Sequence, residues 1–230
     1  MSNMKESNIK DEGQAGKTSK PKGKQVDLEA IRPDLQEVIE RHSLTLDERR
    51  PEAVAKRREK NQRMVRENIN DLCDGHFIEY GALAVAAQRR RRSMEDLIRR
   101  TPADGVVAGI GWVNRHLFGD EKARCMIIGY DYTVLAGTQG FFGHKKKDRM
   151  LRIAHEHRLP LILFAEGGGG RPGDVDANGV SVAGLDLTTF AQFARLSGKV
   201  PVVGIVSGRC FAGNAVLLGC CDVIIAAKNT

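Results

Sequence analysis

The sequence predicts an α/β protein, and three observations carry that prediction. From Thr101 onward, short apolar runs of strand length alternate with stretches of helical periodicity. The runs at 161–165 and 202–206 are apolar throughout, as strands covered on both faces are. Each leads into a glycine-rich turn, at 166–174 and 207–215, of the kind that lets backbone N–H groups approach a ligand.

Taken in order, residues 1–26 are polar and lysine-rich and cannot offset their own ordering entropy, which predicts a disordered basic tail. Residues 27–102 read as a helical N-terminal extension. Leu28, Ile31, Leu35, Val38 and Ile39 recur at spacings of three and four and mark one apolar face. A capping box at Thr45 and Glu48 precedes Pro51, and one long charged helix is expected from there to about Leu72. Its apolar positions are sparse (Val54, Met64, Val65, Ile69, Leu72), so it should be solvated or lie across a partner. Phe77 to Tyr80 reads as extended, and Ser93 with Asp96 as a cap for a short helix through Ile98. The consecutive arginines Arg89, Arg90, Arg91 and Arg92 cannot all face one ligand, which favours a solvated basic face over a phosphate site.

Residues 103–230 form the predicted α/β domain. Strands are expected at 106–113, 125–135, 161–165, 200–206 and 223–227, and helices at 150–157, 188–196 and 213–221. The strands should be buried and largely parallel. A domain that stops just after a buried strand at 223–227 reads as cut short.

With 230 residues, 41% of them apolar, the chain can bury one core and carry an extension. No apolar run approaches the roughly 20 residues that span a bilayer. The N-terminus resembles neither a secretory signal nor a mitochondrial presequence, so no membrane is expected and the default location is cytoplasmic. Much of the net charge of +7 sits in the tail and in helices, which argues against a nucleic-acid surface. Five cysteines, an odd number without C-x-x-C spacing, argue against both a disulfide framework and a zinc ribbon. His155 and His157 are two apart, on different faces of a helix, so no metal site is expected.

Gly168-Gly-Gly-Arg-Pro-Gly173 formally matches a dinucleotide fingerprint, but Pro172 stiffens the turn, no helix starts there, and the next strand ends in Ser207 rather than an acid. A Walker A loop fails because Asp174 follows Gly173. The second turn admits an oxyanion hole, in which the N–H groups around Ala212, Gly213 and Asn214 stabilise the enolate of a thioester. Tight packing of a helix on a strand explains the same residues equally well. Lys145-Lys-Lys147 with Arg149 follows a further turn at 136–140, and a phosphorylated ligand and plain solvation stand side by side as its explanation. No side chain stands out as a general base.

Six ordered blocks then point to a family: Thr45-Leu-Asp-Glu-Arg-Arg-Pro51, Arg66-Glu-Asn-Ile69, Phe77-Ile-Glu-Tyr80, Tyr130-Asp-Tyr-Thr-Val-Leu135, Glu166-Gly-Gly-Gly-Gly-Arg-Pro-Gly-Asp174 and Gly208-Arg-Cys-Phe-Ala-Gly-Asn-Ala215. Over residues 28–230 the chain resembles the N-terminal half of the carboxyltransferase component of biotin-dependent acyl-CoA carboxylases. The resemblance implies a ClpP/crotonase-like fold, here an incomplete single half. It implies transfer of a carboxyl group from carboxybiotin, held on a partner carrier, to the α-carbon of an acyl-CoA, with released biotin taking the α-proton. By position it gives an oxyanion hole at Gly213 and Asn214 with Ala212 beside it. Thr138, Gln139 and Gly140 would line the CoA side, and Gly168, Gly169 and Arg171 would form a substrate-facing wall. Many relatives have glycine where this chain has Asn214. Implied partners are the biotin carboxylase and biotin carboxyl carrier components, and the chain would join a homo-oligomer with its site at the subunit interface. The second half, with its biotin pocket, is not in the sequence, so the chain alone is expected to be inactive. Two other functions remain open beside this one: an acyl-CoA decarboxylase component, and a noncatalytic CoA-binding or assembly module.

Overall fold

The computed structural model describes residues 31–177, 187–228 and 230. The expected tail at 1–26 lies outside the described residues. Helix α1 (Pro33–Ser43) starts with Pro33 at its first turn, and its apolar residues Leu35, Val38 and Ile39 are exposed. Thr45 does not cap the next helix. Its hydroxyl donates to the His42 carbonyl at 2.7 Å and closes α1 instead.

The single helix expected up to Leu72 is two: α2 (Pro51–Arg58) and α3 (Val65–Leu72). Asn61 between them has φ of +54°, a left-handed backbone no helix continues through. The buried Arg57 guanidinium holds the reversal by donating twice to the Arg63 carbonyl, at 2.7 and 3.0 Å. Nor is α3 solvated, since Val65, Ile69 and Cys73 pack on the sheet.

A short strand β1 (Phe77–Glu79) follows, then α4 (Met94–Arg100), capped as expected by the Ser93 hydroxyl accepting from the Asp96 N–H at 3.1 Å. The rest alternates: β2 (Val106–Trp112), α5 (Arg115–Lys122), β3 (Arg124–Tyr130), α6 (Phe141–His157), β4 (Leu161–Phe164), α7 (Thr189–Ala194), β5 (Val202–Val206), α8 (Ala212–Gly219) and β6 (Val223–Ala226). The second long strand therefore stops at Tyr130, and α6 begins nine residues before the stretch legible as helix.

The six strands form one sheet in sequence order. Pairing is antiparallel between β1 and β2 and between β2 and β3, and parallel from β3 through β6, so the sheet is mixed, with the expected parallel part running from β3 to β6. Strand alternation sends Met126, Ile128, Leu161, Leu163 and Val202 to one face, against Met150, Leu151 and Ala154 of α6, Phe193 of α7 and Leu217 of α8. Val107, Cys125 and Ile127 point to the other face, against α3. The strand expected to be buried at 223–227 is instead an exposed edge, with Val223, Ile224 and Ile225 open to solvent. Among the described residues no helix is long and apolar enough to cross a membrane.

Candidate active site

Parallel neighbours β4 and β5 end at the same edge of the sheet, so the turns that leave them emerge side by side. They are laced together through the main chain: Gly167 N–H donates to the Arg209 carbonyl (2.7 Å), and Phe211 N–H donates to the Gly167 carbonyl (2.9 Å). A third turn, Leu135–Gly137, joins them after β3. Gly168 N–H reaches the Ala136 carbonyl (2.9 Å), Gln139 N–H the Gly169 carbonyl (2.8 Å), and Arg171 N–H the Gln139 carbonyl (3.0 Å). The crowding requires glycine. Gly167 has φ of +96°, and a Cβ there would sit 2.5 Å from the Ala136 carbonyl oxygen. A Cβ on Gly169 would sit 2.5 Å from that of Ala212 and 3.4 Å from the Gly213 nitrogen.

At this meeting point α8 begins. Its first three amides lie beyond the reach of the helical ladder. The Asn214 N–H turns back to the Phe211 carbonyl at 3.1 Å. Among the described residues, the N–H groups of Ala212 and Gly213 have no acceptor, and neither do those of Gly169 and Gly170 opposite. Of the residues expected to supply amides, Ala212 and Gly213 therefore have theirs available, whereas Asn214 contributes its side chain. That side chain is fully buried and donates to the carbonyls of Gly137 (2.9 Å) and Glu166 (2.7 Å). Acceptor-free amides at a helix start, with no bulky side chain from Gly169, are suited to a developing oxyanion.

The other expected site residues lie just beneath. Gln139 is buried and bridges Asn214 Oδ1 (2.7 Å) to Lys147 Nζ (2.5 Å), which also donates to the Tyr130 hydroxyl (2.9 Å). Gly140 is buried against Arg171. Thr138 donates its hydroxyl to the Leu135 carbonyl and accepts from Arg171 Nε. The Arg171 guanidinium is held by the carboxylate of Asp104 and the Thr138 carbonyl, and Gly168 stands half-buried beside Thr138. Arg57 and Glu166 form a buried bidentate pair at 2.7 and 2.8 Å, which anchors the first turn to α2.

Two lysines of the run at 145–147 turn inward. Lys146 donates to the carbonyls of Ala103 and Val106, and burial holds it down at about 8. Lys147 is pushed down to about 7 by burial. Burial, with Lys147 and Arg171 nearby, holds His144 at about 3, a neutral imidazole hydrogen-bonded to Thr189. Lys147 was named from the sequence only as part of a basic run facing a phosphorylated ligand or solvent, and the Arg57–Glu166 pair and the contact of Lys147 with Tyr130 were not foreseen. The signal for Lys147 was available in spacing, since Gly143, Lys147, Met150, Leu151 and Ala154 share the buried face of α6.

Other singled-out residues lie apart from this centre. Arg89, Arg90 and Arg91 are exposed, as the solvated reading expects, while the N–H groups of Arg89 and Arg90 hold the Asp176 carboxylate. Asp174 is taken by Phe141 N–H and Gln88. His155 and His157 are exposed, and among the described residues no metal-binding group is found. A cleft of about 950 Å³ opens between α2, α4 and residues 132–136, lined by Arg49, Lys56, Lys60, Arg99, Arg100 and Ala136 among others. A second hollow of about 530 Å³, lined by Phe77, Trp112 and Arg124, includes no residue of the glycine turns.

A family model described as the carboxyl transferase domain matches residues 56–230. The chain belongs to the carboxyl transferase domain family. Among curated relatives, this carboxyl transferase chain is 32% identical over 165 residues to the propionyl-CoA carboxylase beta chain of Saccharopolyspora erythraea, covering 71% of this chain and 28% of that protein. It is 28% identical to the biotin-dependent long chain acyl-coenzyme A carboxylase beta4 subunit of Mycobacterium tuberculosis, covering 85% and 34%. Among solved structures, a single-chain, multi-domain long-chain acyl-CoA carboxylase superposes with a TM-score of 0.80 at 61% identity, over 86% of this chain and 19% of that one. The carboxyl transferase chain thus spans about a third or less of the length of these relatives. The expected family and its crotonase-like α/β fold are both borne out.

Proposed function

We propose that this carboxyl transferase chain supplies the acyl-CoA side of a carboxyltransferase site, and that the amides of Ala212 and Gly213 stabilise the enolate formed when a thioester loses its α-proton. The observation that carries this reading is the pair of acceptor-free N–H groups at the start of α8, facing Gly169 across a contact too close for a side chain. A thioester oxygen gains most of its negative charge in the enolate, so amides aimed at it stabilise the transition state more than the bound substrate. Gly168 and Gly169 form the wall opposite. Thr138, Gln139 and Arg171 act from beneath by keeping the three turns registered.

The basic cleft fits the phosphates of CoA. Lys56, Lys60, Arg99 and Arg100 present cations along it, and Ala136, which also lines it, accepts through its carbonyl from the Gly168 N–H. One cluster of free amides suits one developing oxyanion, and it is assigned here to the thioester. No residue of this chain is assigned a hold on biotin. Carboxybiotin on a partner carrier supplies the carboxyl group. The long-chain acyl-CoA carboxylases among the similar proteins favour a long-chain acyl-CoA as the substrate, and assembly with biotin carboxylase and carrier components, in a homo-oligomer, belongs to the same proposal.

Calorimetry and a carboxyl-transfer assay test the reading together. The purified chain should bind an acyl-CoA, the affinity should fall as salt rises, and charge reversal at Lys60 and Arg99 should weaken binding about tenfold or more. It should not carboxylate acyl-CoA from free carboxybiotin on its own. Salt-independent binding that survives both reversals would remove the cleft from the site, and efficient transfer by the isolated chain would refute its dependence on partners.

A further inference from the structure

We propose that Lys147 is a positioning residue: through Gln139 and Asn214 it fixes the direction of a buried hydrogen-bond chain that holds the glycine turns, and with them the amides of Ala212 and Gly213. The inference rests on the reading of those amides as the enolate-binding pair.

The argument starts from the donor inventory. Lys147 Nζ donates to Gln139 Oε1 at 2.5 Å; as an ammonium it can only donate, and as a neutral amine it still carries N–H groups to donate there. Gln139 must then turn its NH2 toward Asn214, where it meets Oδ1 at 2.7 Å. Asn214 in turn presents its NH2 to the carbonyls of Gly137 and Glu166, at 2.9 and 2.7 Å. The far end demands the same orientation, because two carbonyls can only accept. Both ends therefore agree on one direction, and reversing either amide would set acceptor against acceptor inside the protein.

The chain joins all three turns. Gly137 belongs to the turn after β3, Glu166 to the turn after β4, and Asn214 to the first turn of α8. A shift of Asn214 would carry with it the two residues before it, whose N–H groups are the ones left without acceptors.

Lys147 is an expensive choice for a merely structural task. It is fully buried, and among the described residues no carboxylate lies within ion-pair distance of it. Its other contacts are the Tyr130 hydroxyl at 2.9 Å and the Tyr130 ring, whose centroid is 5.0 Å from Nζ. Burying an unpaired ammonium costs stability, and the depression of Lys147 to about 7 reflects that cost. An apolar side chain of the same length would fill the space more cheaply but could not impose a direction on Gln139.

The test compares two ligands of the full 230-residue chain: acetyl-CoA, and carboxymethyl-dethia-CoA, whose carboxylate places a negative oxygen where the enolate oxygen would form. The parent should bind the carboxylate about tenfold or more tightly than acetyl-CoA. Lys147→Met removes the donor. Gln139→Glu keeps a partner for Lys147 but presents an acceptor to Asn214. Lys147→Met should hold acetyl-CoA within about twofold of the parent while losing the preference for the carboxylate, a split that general loosening of the fold would not produce, and Gln139→Glu should lose that preference as well. Folded variants that keep the full preference would overturn the positioning role and leave the enolate reading standing. A parent without the preference would overturn the enolate reading and the inference together. If neither variant folds, the parent decides by NMR: the side-chain amide protons of Gln139 and Asn214 should exchange slowly with solvent, and fast exchange at both would refute the chain of bonds.

Discussion

At the scale of single residues, Lys147 gives the fold a pH dependence whose sign can be worked out. Unfolded, it titrates at its ordinary 10.5, and folded at about 7. Between those values the unfolded chain binds the extra proton, so stability rises with pH; below about 7 both states hold the proton and the penalty is present in full. Denaturant titrations from pH 7 to 9 should therefore show stability increasing, with a smaller slope in Lys147→Met. An unchanged slope would mean that Lys147 titrates normally in the fold. The glycines of the site were legible because their spacing and flanking strands announce a tight turn. The buried role of Lys147 was not, because a run of three lysines fits a phosphorylated ligand and plain solvation alike until the helical phase set by Gly143, Met150 and Ala154 assigns one of them to the core. Asn214 was legible as a position, but whether its main chain or its side chain acts depends on which amide the first turn of α8 consumes, and the sequence holds no record of that.

At the scale of elements, the break between α2 and α3 matters most. Apolar positions from Val54 to Leu72 are compatible with one helix, because periodicity does not register a reversal enforced by a distant carboxylate. That carboxylate is Glu166, paired with Arg57 from the turn after β4. Arg57→Ala would leave Glu166 buried without a cation and release the Arg63 carbonyl as well. Chemical unfolding should show a loss of about 3–5 kcal/mol, and removing both partners should cost less than removing Arg57 alone. Equal losses would show that the pair is already neutralised by solvent. The cap at Ser93 was legible because its partner is three residues away, whereas the cap expected at Thr45 failed because a hydroxyl there serves the helix behind it equally well.

At the scale of the molecule, the sheet joins the N-terminal region to the α/β part. β1 supplies the outer partner of β2, and α3 covers the face formed by Val107, Cys125 and Ile127. A chain beginning at residue 103 would bare both. It should fail to unfold cooperatively and should associate in sedimentation experiments, whereas a cooperative monomer would show that residues 103–230 form a separate unit. The alternation of strands and helices was plain in the sequence, but strand direction was not: the short link between β2 and β3 could not be told from a crossover by hydrophobic pattern alone. The convergence of the three turns has one further consequence. In the proposed reading its amides belong to the main chain, so the chemistry depends on side chains chiefly where they hold the turns, as Lys147, Gln139, Asn214 and the Arg57–Glu166 pair do. Under that proposal mutation can rewrite the walls of the acyl pocket, and with them the choice of substrate, without rebuilding the proposed oxyanion site, provided that those side chains are kept and a few positions stay as small as hydrogen.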